Sequence, residues 1–305
     1  MAKPQYSTTE LIASIKRRCA IPTSQMTYTE TDFVALANDE LQGIVVPLIM
    51  RTREEYFVTH TDVVIPSTGI IDIPSDAVGM KLRSVCEVVQ ASPLILRNIP
   101  RLDLDVVAGT MNSVVSNGGF YIEGDQLHIH PTGSSLIGDT VRVFYFKRAL
   151  ILTTPALSAR VESIDVGSNT LTMNRIPSGW TTSTVLNSVS GTAGFNLTKD
   201  GIVLVSTSAP SLVVDSVTGI SVGDYITEQG YSAIPQIPVE AHAYLAQLTA
   251  VKALEGLGDT QGMKNASDKA ELLQQGLLTI VSQRVDGSIK KVINPSGGLR
   301  LRWGK

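Results

Sequence analysis

The chain has 305 residues, more than the roughly 100 to 200 that usually share one hydrophobic core, so several cooperating domains are expected. Its two cysteines, Cys19 and Cys86, stand far apart, which argues against a secreted disulfide scaffold and for a reducing compartment. Only 17% of residues are charged and the net charge is −3, so either neighbours cover surface that water would otherwise meet, or Ser and Thr replace charge there.

The opening MAKPQYSTTE has no long apolar stretch, and the richest apolar run, GIVVPLIM, is too short to cross a bilayer, so a soluble protein with no membrane association is expected. Ser7-Thr8-Thr9-Glu10 forms a capping box ahead of LIASIKRR and predicts a helix to about Cys19. Thr29-Glu30-Thr31-Asp32 starts a second, longer helix with Phe33, Leu36, Ala37, Leu41, Ile44, Val45, Leu48 and Ile49 at helical period, and Pro47 is expected to kink it.

From Tyr56 the pattern becomes strand-like. YFVTHTDVVI and IIDIP, joined through STG, read as a hairpin, and Lys81–Val89 as a strand. Arg101–Ala108 reads as a short helix, GGFYIEGDQLHIHP as a hairpin turning at Gly124-Asp125, and TVRVFYFK as an alternating strand. Together they predict a sheet of four to six strands over 57–151.

Residues 152–235 form a separate segment: Ile151 to Ser232 holds nine charged residues, with none between Arg175 and Lys199, and short strand-length runs alternate with Gly, Ser, Asn and Pro turns. This predicts an inserted small β-barrel or sandwich. Helical period returns over Val239–Leu257, and the last helix carries Met263, Ala266, Ala270, Leu273, Leu277 and Ile280 at alternating spacings of three and four, the seam of a packed pair. Residues 283–305 carry six cations against Asp286 alone, a balance of +5 that leaves −8 for the rest. This basic tail ends in the alternating Leu299-Arg300-Leu301-Arg302-Trp303, suited to strand addition on a partner.

Catalytic signatures are lacking: there is no glycine-rich phosphate loop, no GxSxG elbow and no His near Cys19. His128 and His130 share one strand face but have no third ligand at metal spacing, and Glu54-Glu55 reads as surface charge, so no enzyme activity, cofactor or metal is expected. Trp180 and Phe195 lie in the charge-free stretch, as an inter-subunit or tail interface or as ordinary barrel core. Arg284, Lys290, Lys291, Arg300, Arg302 and Trp303 are the candidate partner-binding residues.

Leu36-Ala37-Asn38-Asp39-Glu40-Leu41, Val46-Pro47-Leu48-Ile49-Met50 and Arg53-Glu54-Glu55-Tyr56-Phe57 resemble the N-terminal part of the head-to-tail connector (adaptor) proteins of tailed bacteriophages. Ala241 to Ala253, Leu257-Gly258-Asp259, Leu277–Val281 and Arg284-Val285-Asp286-Gly287 resemble their closing helical hairpin and tail. The resemblance implies an α+β fold in which N-terminal helices (1–56) and a C-terminal hairpin (236–282) form a four-helix bundle, with the β regions inserted between. It implies a structural virion protein of the neck, assembled in the bacterial cytoplasm as a homo-oligomeric ring, commonly of twelve. Such a ring sits beneath the portal, continues the DNA channel without sequence-specific binding, and offers a surface to the tail or further neck proteins. The basic tail would then meet the portal. Two other readings compete with this one: a tail-associated carbohydrate-binding or fibre-type module, motivated by the Ser/Thr-rich β segment with Trp180, and a hydrolase with scattered carboxylates.

Overall fold

A computed structural model of the chain describes residues 7–21, 27–102, 119–131, 135–191 and 197–282. Helix α1 (Thr8–Arg18) begins at the expected capping box, in which Ser7 and Glu10 bond each other's backbone amides. Helix α2 (Glu30–Thr52) begins at a second box, formed by Thr29 and Asp32. Pro47 stands at the start of the segment Val46–Thr52, directly after an irregular turn. There Leu41–Val45 widens into a π turn in which the Val46 amide reaches back to the Leu41 carbonyl. Ala37, Leu41, Val45 and Ile49 are all buried, and their four-residue spacing drifts off a 3.6-residue period, so one wide turn returns the stripe to the core. The same turn carries Ile44 outward, to 42% exposure. By length and composition alone α2 could cross a membrane, with a mean hydropathy of 1.4 in its richest window, of which 44% is buried here against the rest of the fold.

Helix α3 (Val239–Leu257) ends at Gly258, whose φ of 73° is the left-handed cap. Helix α4 (Thr260–Val281) begins at Asp259, whose side chain accepts from the Gly262 amide. α3 is buried on most sides, and its Ala241, Ala246, Ala250 and Ala253 let neighbours approach closely. α1 and α2 pack on it from one side and α4 from another. Gln247 lies at the junction, accepting from Arg18 and donating to the Ala266 carbonyl at 3.0 Å.

The expected four-helix bundle of N- and C-terminal helix pairs is not formed, because the fold is mixed α/β with a large β-rich part. Among the described residues the four helices stand against fifteen strands, six of which close into a barrel. A bundle requires each helix to offer apolar surface to two neighbours. α4 has one narrow stripe, Ala266, Ala270, Leu277 and Val281, spent mainly on α3; it meets the N-terminal helices chiefly at Val46–Thr52. Ile280, placed in the expected seam, is 59% exposed, and Val281 takes its place.

The first β region comprises β1 (Val58–Val64), β2 (Ile70–Asp72), β3 (Ala77–Ala91), β4 (Leu94–Ile99), β5 (Gly119–Glu123), β6 (Gln126–His130) and β7 (Thr140–Lys147). They form two antiparallel sheets, ordered β1-β7-β3-β4 and β2-β6-β5, that share one core through Val85, Phe120, Leu127, Ile129, Val141 and Val143. The β5–β6 hairpin turns at Gly124, with φ of 61°, as expected. The hairpin expected between β1 and β2 is absent. β1 pairs with β7 and β2 with β6, because Ile65 between them is buried and carries the chain from one sheet to the other. The short helix expected at Arg101–Ala108 lies almost wholly outside the described residues.

The barrel contains β9 (Ala159–Asp165), β10 (Thr170–Met173), β11 (Val185–Val189), β12 (Leu197–Ser208), β13 (Ser211–Val214) and β14 (Tyr225–Glu228), closed in the order β10-β13-β12-β11-β14-β9. Closure removes the exposed sheet edges of the module. Its entry and exit are stapled by a parallel pair, β8 (Ile151–Leu152) with β15 (Tyr231–Ser232). Asn38 of α2 clamps that neck, its amide group bonding both the N–H and the C=O of Leu152, at 2.7 and 2.9 Å.

Candidate interaction surfaces

The basic residues Arg284, Lys290, Lys291, Arg300 and Arg302, together with Trp303 and Phe195, lie outside the described residues. The end of α4, from which 283–305 departs, is described. There Arg53, Tyr56, Val239, Glu240 and Ile280 surround a depression of about 310 Å³. Burial raises the Tyr56 phenol well above its ordinary pKa, so it stays neutral there. Trp180 is 6% exposed and belongs to the barrel core, the ordinary alternative raised for it. Buried there, it is not exposed as an interface anchor or as a platform for stacking a sugar, so of the two features behind the carbohydrate-binding reading only the Ser/Thr-rich β segment remains.

His128 and His130 do share a face of β6, but His128 stacks on Tyr121, with ring centres 4.9 Å apart, and lies 3.9 Å from Glu123. Among the described residues no group of three metal-ligating side chains comes together. Glu55 pairs loosely with Arg83 at 3.9 Å. Burial pushes the Glu40 carboxyl above its usual range, with Lys252 partly opposing the shift. Burial likewise pushes the Cys19 thiol up to about 11, which favours its protonated form in the core.

The structure does show two features that periodicity did not single out. The first is an arm. β3 pairs with β7 only as far as Glu87↔Val141, yet β3 and β4 continue pairing to Ala91↔Leu94. Val88–Ala91 and Leu94–Leu96 therefore form a two-stranded ribbon overhanging the sheet. A shift of register between Val88 and Gln90 strengthens its twist. Its tip is apolar: Val89, Leu94 and Ile95 are 54%, 48% and 47% exposed. In sequence the only trace is VVQASPLIL, two apolar runs flanking a Pro turn, which reads equally well as a buried hairpin.

The second feature is an open cleft of about 690 Å³ where β3, the end of β4 and β5 meet, bordered by Lys81, Arg83 and Arg101. α4 adds a smaller apolar patch, with Leu272 68% exposed. Compared with known proteins, the chain matches no protein-family model and no curated sequence.

Proposed function

We propose that the chain is a structural protein of a tailed-phage virion, one subunit of a ring that lies beneath the portal, continues the DNA channel and gives the tail its docking surface. It works by assembly and not by catalysis. The observation that carries this reading is the overhanging β3–β4 arm, whose tip exposes Val89, Leu94 and Ile95 on a chain with only 17% charged residues. A soluble monomer gains nothing from three half-exposed aliphatic side chains on a projecting ribbon, whereas a neighbouring copy could bury them.

Two sequence features add support. The residues that resemble connector proteins fall largely in α2, α3 and α4, which share one apolar core although β structure separates them along the chain. The body carries −8, so a channel wall made from it would release no counterions from DNA and would let the duplex slide. The basic tail would dock on an acidic groove of the portal by strand addition or charge pairing. A chain lacking 284–305 should fold normally and fail to join portal-bearing heads in a co-sedimentation assay; attachment at the level of the intact chain would reject that role.

A further inference from the structure

β4 ends at Ile99, opposite Val85, and the chain then turns away so that Arg101 bridges Phe120 of β5. Gly79–Ser84 of β3 is therefore flanked by β7 on one side and, among the described residues, by no strand on the other. β5 has a similar edge, since among the described residues it pairs past Phe120 with β6 alone. The cleft of about 690 Å³ runs between these two edges.

The β3 wall is shaped. The register with β7 jumps from Ala77↔Lys147 to Leu82↔Tyr145, leaving extra residues on β3, and both Gly79 and Met80 take left-handed backbone, with φ of 55° and 54°. Met80 is an uncommon residue for that conformation, and its side chain remains 36% exposed at the cleft. Such bulges re-aim backbone and side chains beside binding sites.

The lining is also one-signed. Lys81, Arg83 and Arg101 border the cleft and, among the described residues, no carboxylate does. Arg83 is only loosely compensated by Glu55, and the Lys81 ammonium lies 4.5 Å from the Phe146 ring centre. Met80, Leu82 and Ile122 add apolar surface.

We propose that this cleft is the docking site for an extended acidic segment of a partner protein, which adds as a strand along Gly79–Ser84 in the place β4 vacates. Apolar side chains of the segment would meet Leu82 and Ile122, and its carboxylates would meet Arg83 and Arg101. A phosphodiester backbone fits less well, because it offers a strand edge no amide donors, whereas a peptide supplies donors and acceptors at the same period. The inference concerns a different surface from the arm and does not depend on the ring reading.

The test uses the full chain and a fluorescein-labelled eight-residue peptide alternating aspartate with valine or threonine, followed by fluorescence anisotropy. Saturable binding is expected, with Arg83→Ala and Arg101→Ala each weakening it by about tenfold, the size of one charge-assisted contact. Both arginines are on the surface, and matching thermal melts would show that the variants fold. The same peptide N-methylated at alternate amides should bind at least about tenfold more weakly, since it loses ladder donors. A peptide with lysine in place of aspartate should not bind. The proposal is overturned by absent binding, by equal binding of the methylated peptide, or by equally effective competition from a thymidine oligonucleotide. It is also overturned if binding appears only in an Asp103→Asn, Asp105→Asn chain, which would give the cleft to the chain's own acidic segment. Self-association lost in the arginine variants would give it to a second copy.

Discussion

The arm offers the most direct mutational test of assembly. Full burial of a large aliphatic side chain is worth about 1.5 to 3 kcal/mol, so covering the exposed half of Val89, Leu94 and Ile95 is worth roughly 1 kcal/mol each. The three together come to about 3 kcal/mol, or roughly a hundredfold in an association constant, as an upper bound before side-chain ordering is subtracted. Replacing all three by threonine keeps β-propensity and adds no charge, so the ribbon should still form. These side chains already face water, so the thermal midpoint should move little. Sedimentation velocity over a concentration series should then show the half-assembly point shifted upward by one to two orders of magnitude. Unchanged self-association with an unchanged melt would refute the reasoning, and a large loss of stability would mean that the arm is core and not interface.

Other predictions concern the interior. Burial depresses His242 to about 4, so as pH falls from 6.5 the unfolded chain takes up a proton that the native one refuses. Stability should be independent of this group above pH 6.5 and should decline by roughly 3 kcal/mol by pH 4. His242→Gln should narrow the gap between urea midpoints at pH 7 and pH 4.5, and an unaltered gap would count against the assignment. Asp224 is 3% exposed and accepts from the Ser221 and Gly191 amides and the Ser188 and Thr198 hydroxyls. Asp224→Ala should cost about 3 kcal/mol in urea unfolding and Asp224→Asn less, because the alanine leaves buried donors without an acceptor. Cys86 is partly exposed and Cys19 is buried, so iodoacetamide should modify Cys86 first and reach Cys19 only with denaturant. Equal labelling of both in the native protein would contradict the packing of α1 on α3.

Local chemistry was readable wherever one short stretch of chain decides the outcome. Ser7 with Glu10 and Thr29 with Asp32 mark helix starts because their bonds close within a few residues. The β5–β6 turn at Gly124 is legible for the same reason, and the low charge and turn spacing of 152–235 indicate a small β-barrel or sandwich without deciding between them; the structure has a closed barrel. Long-range pairing was not readable. IIDIP carries no local signal that its partner is β6 and not the adjacent β1. The helix arrangement failed on energetics that periodicity omits. The 3-4 spacing of α4 is compatible with a bundle seam, yet only contact with α3 shows that Val281, not Ile280, completes the stripe. Likewise Ile44 fits a 3.6-residue pattern and is displaced by a π turn whose presence depends on the core beyond it. Of the candidate residues, Trp180 was ambiguous because a charge-free aromatic stretch looks the same whether it faces a barrel interior or a partner. The arm and the cleft both arise from where strands stop pairing, which single-strand alternation does not encode.

Electron microscopy of the purified chain, alone and mixed with portal protein, addresses the central claim most directly. The account predicts closed rings of uniform copy number, formed by the chain itself or on the portal, with the β3–β4 arm reaching the adjacent subunit. Particles that remain single copies at every concentration and leave the portal bare would contradict it.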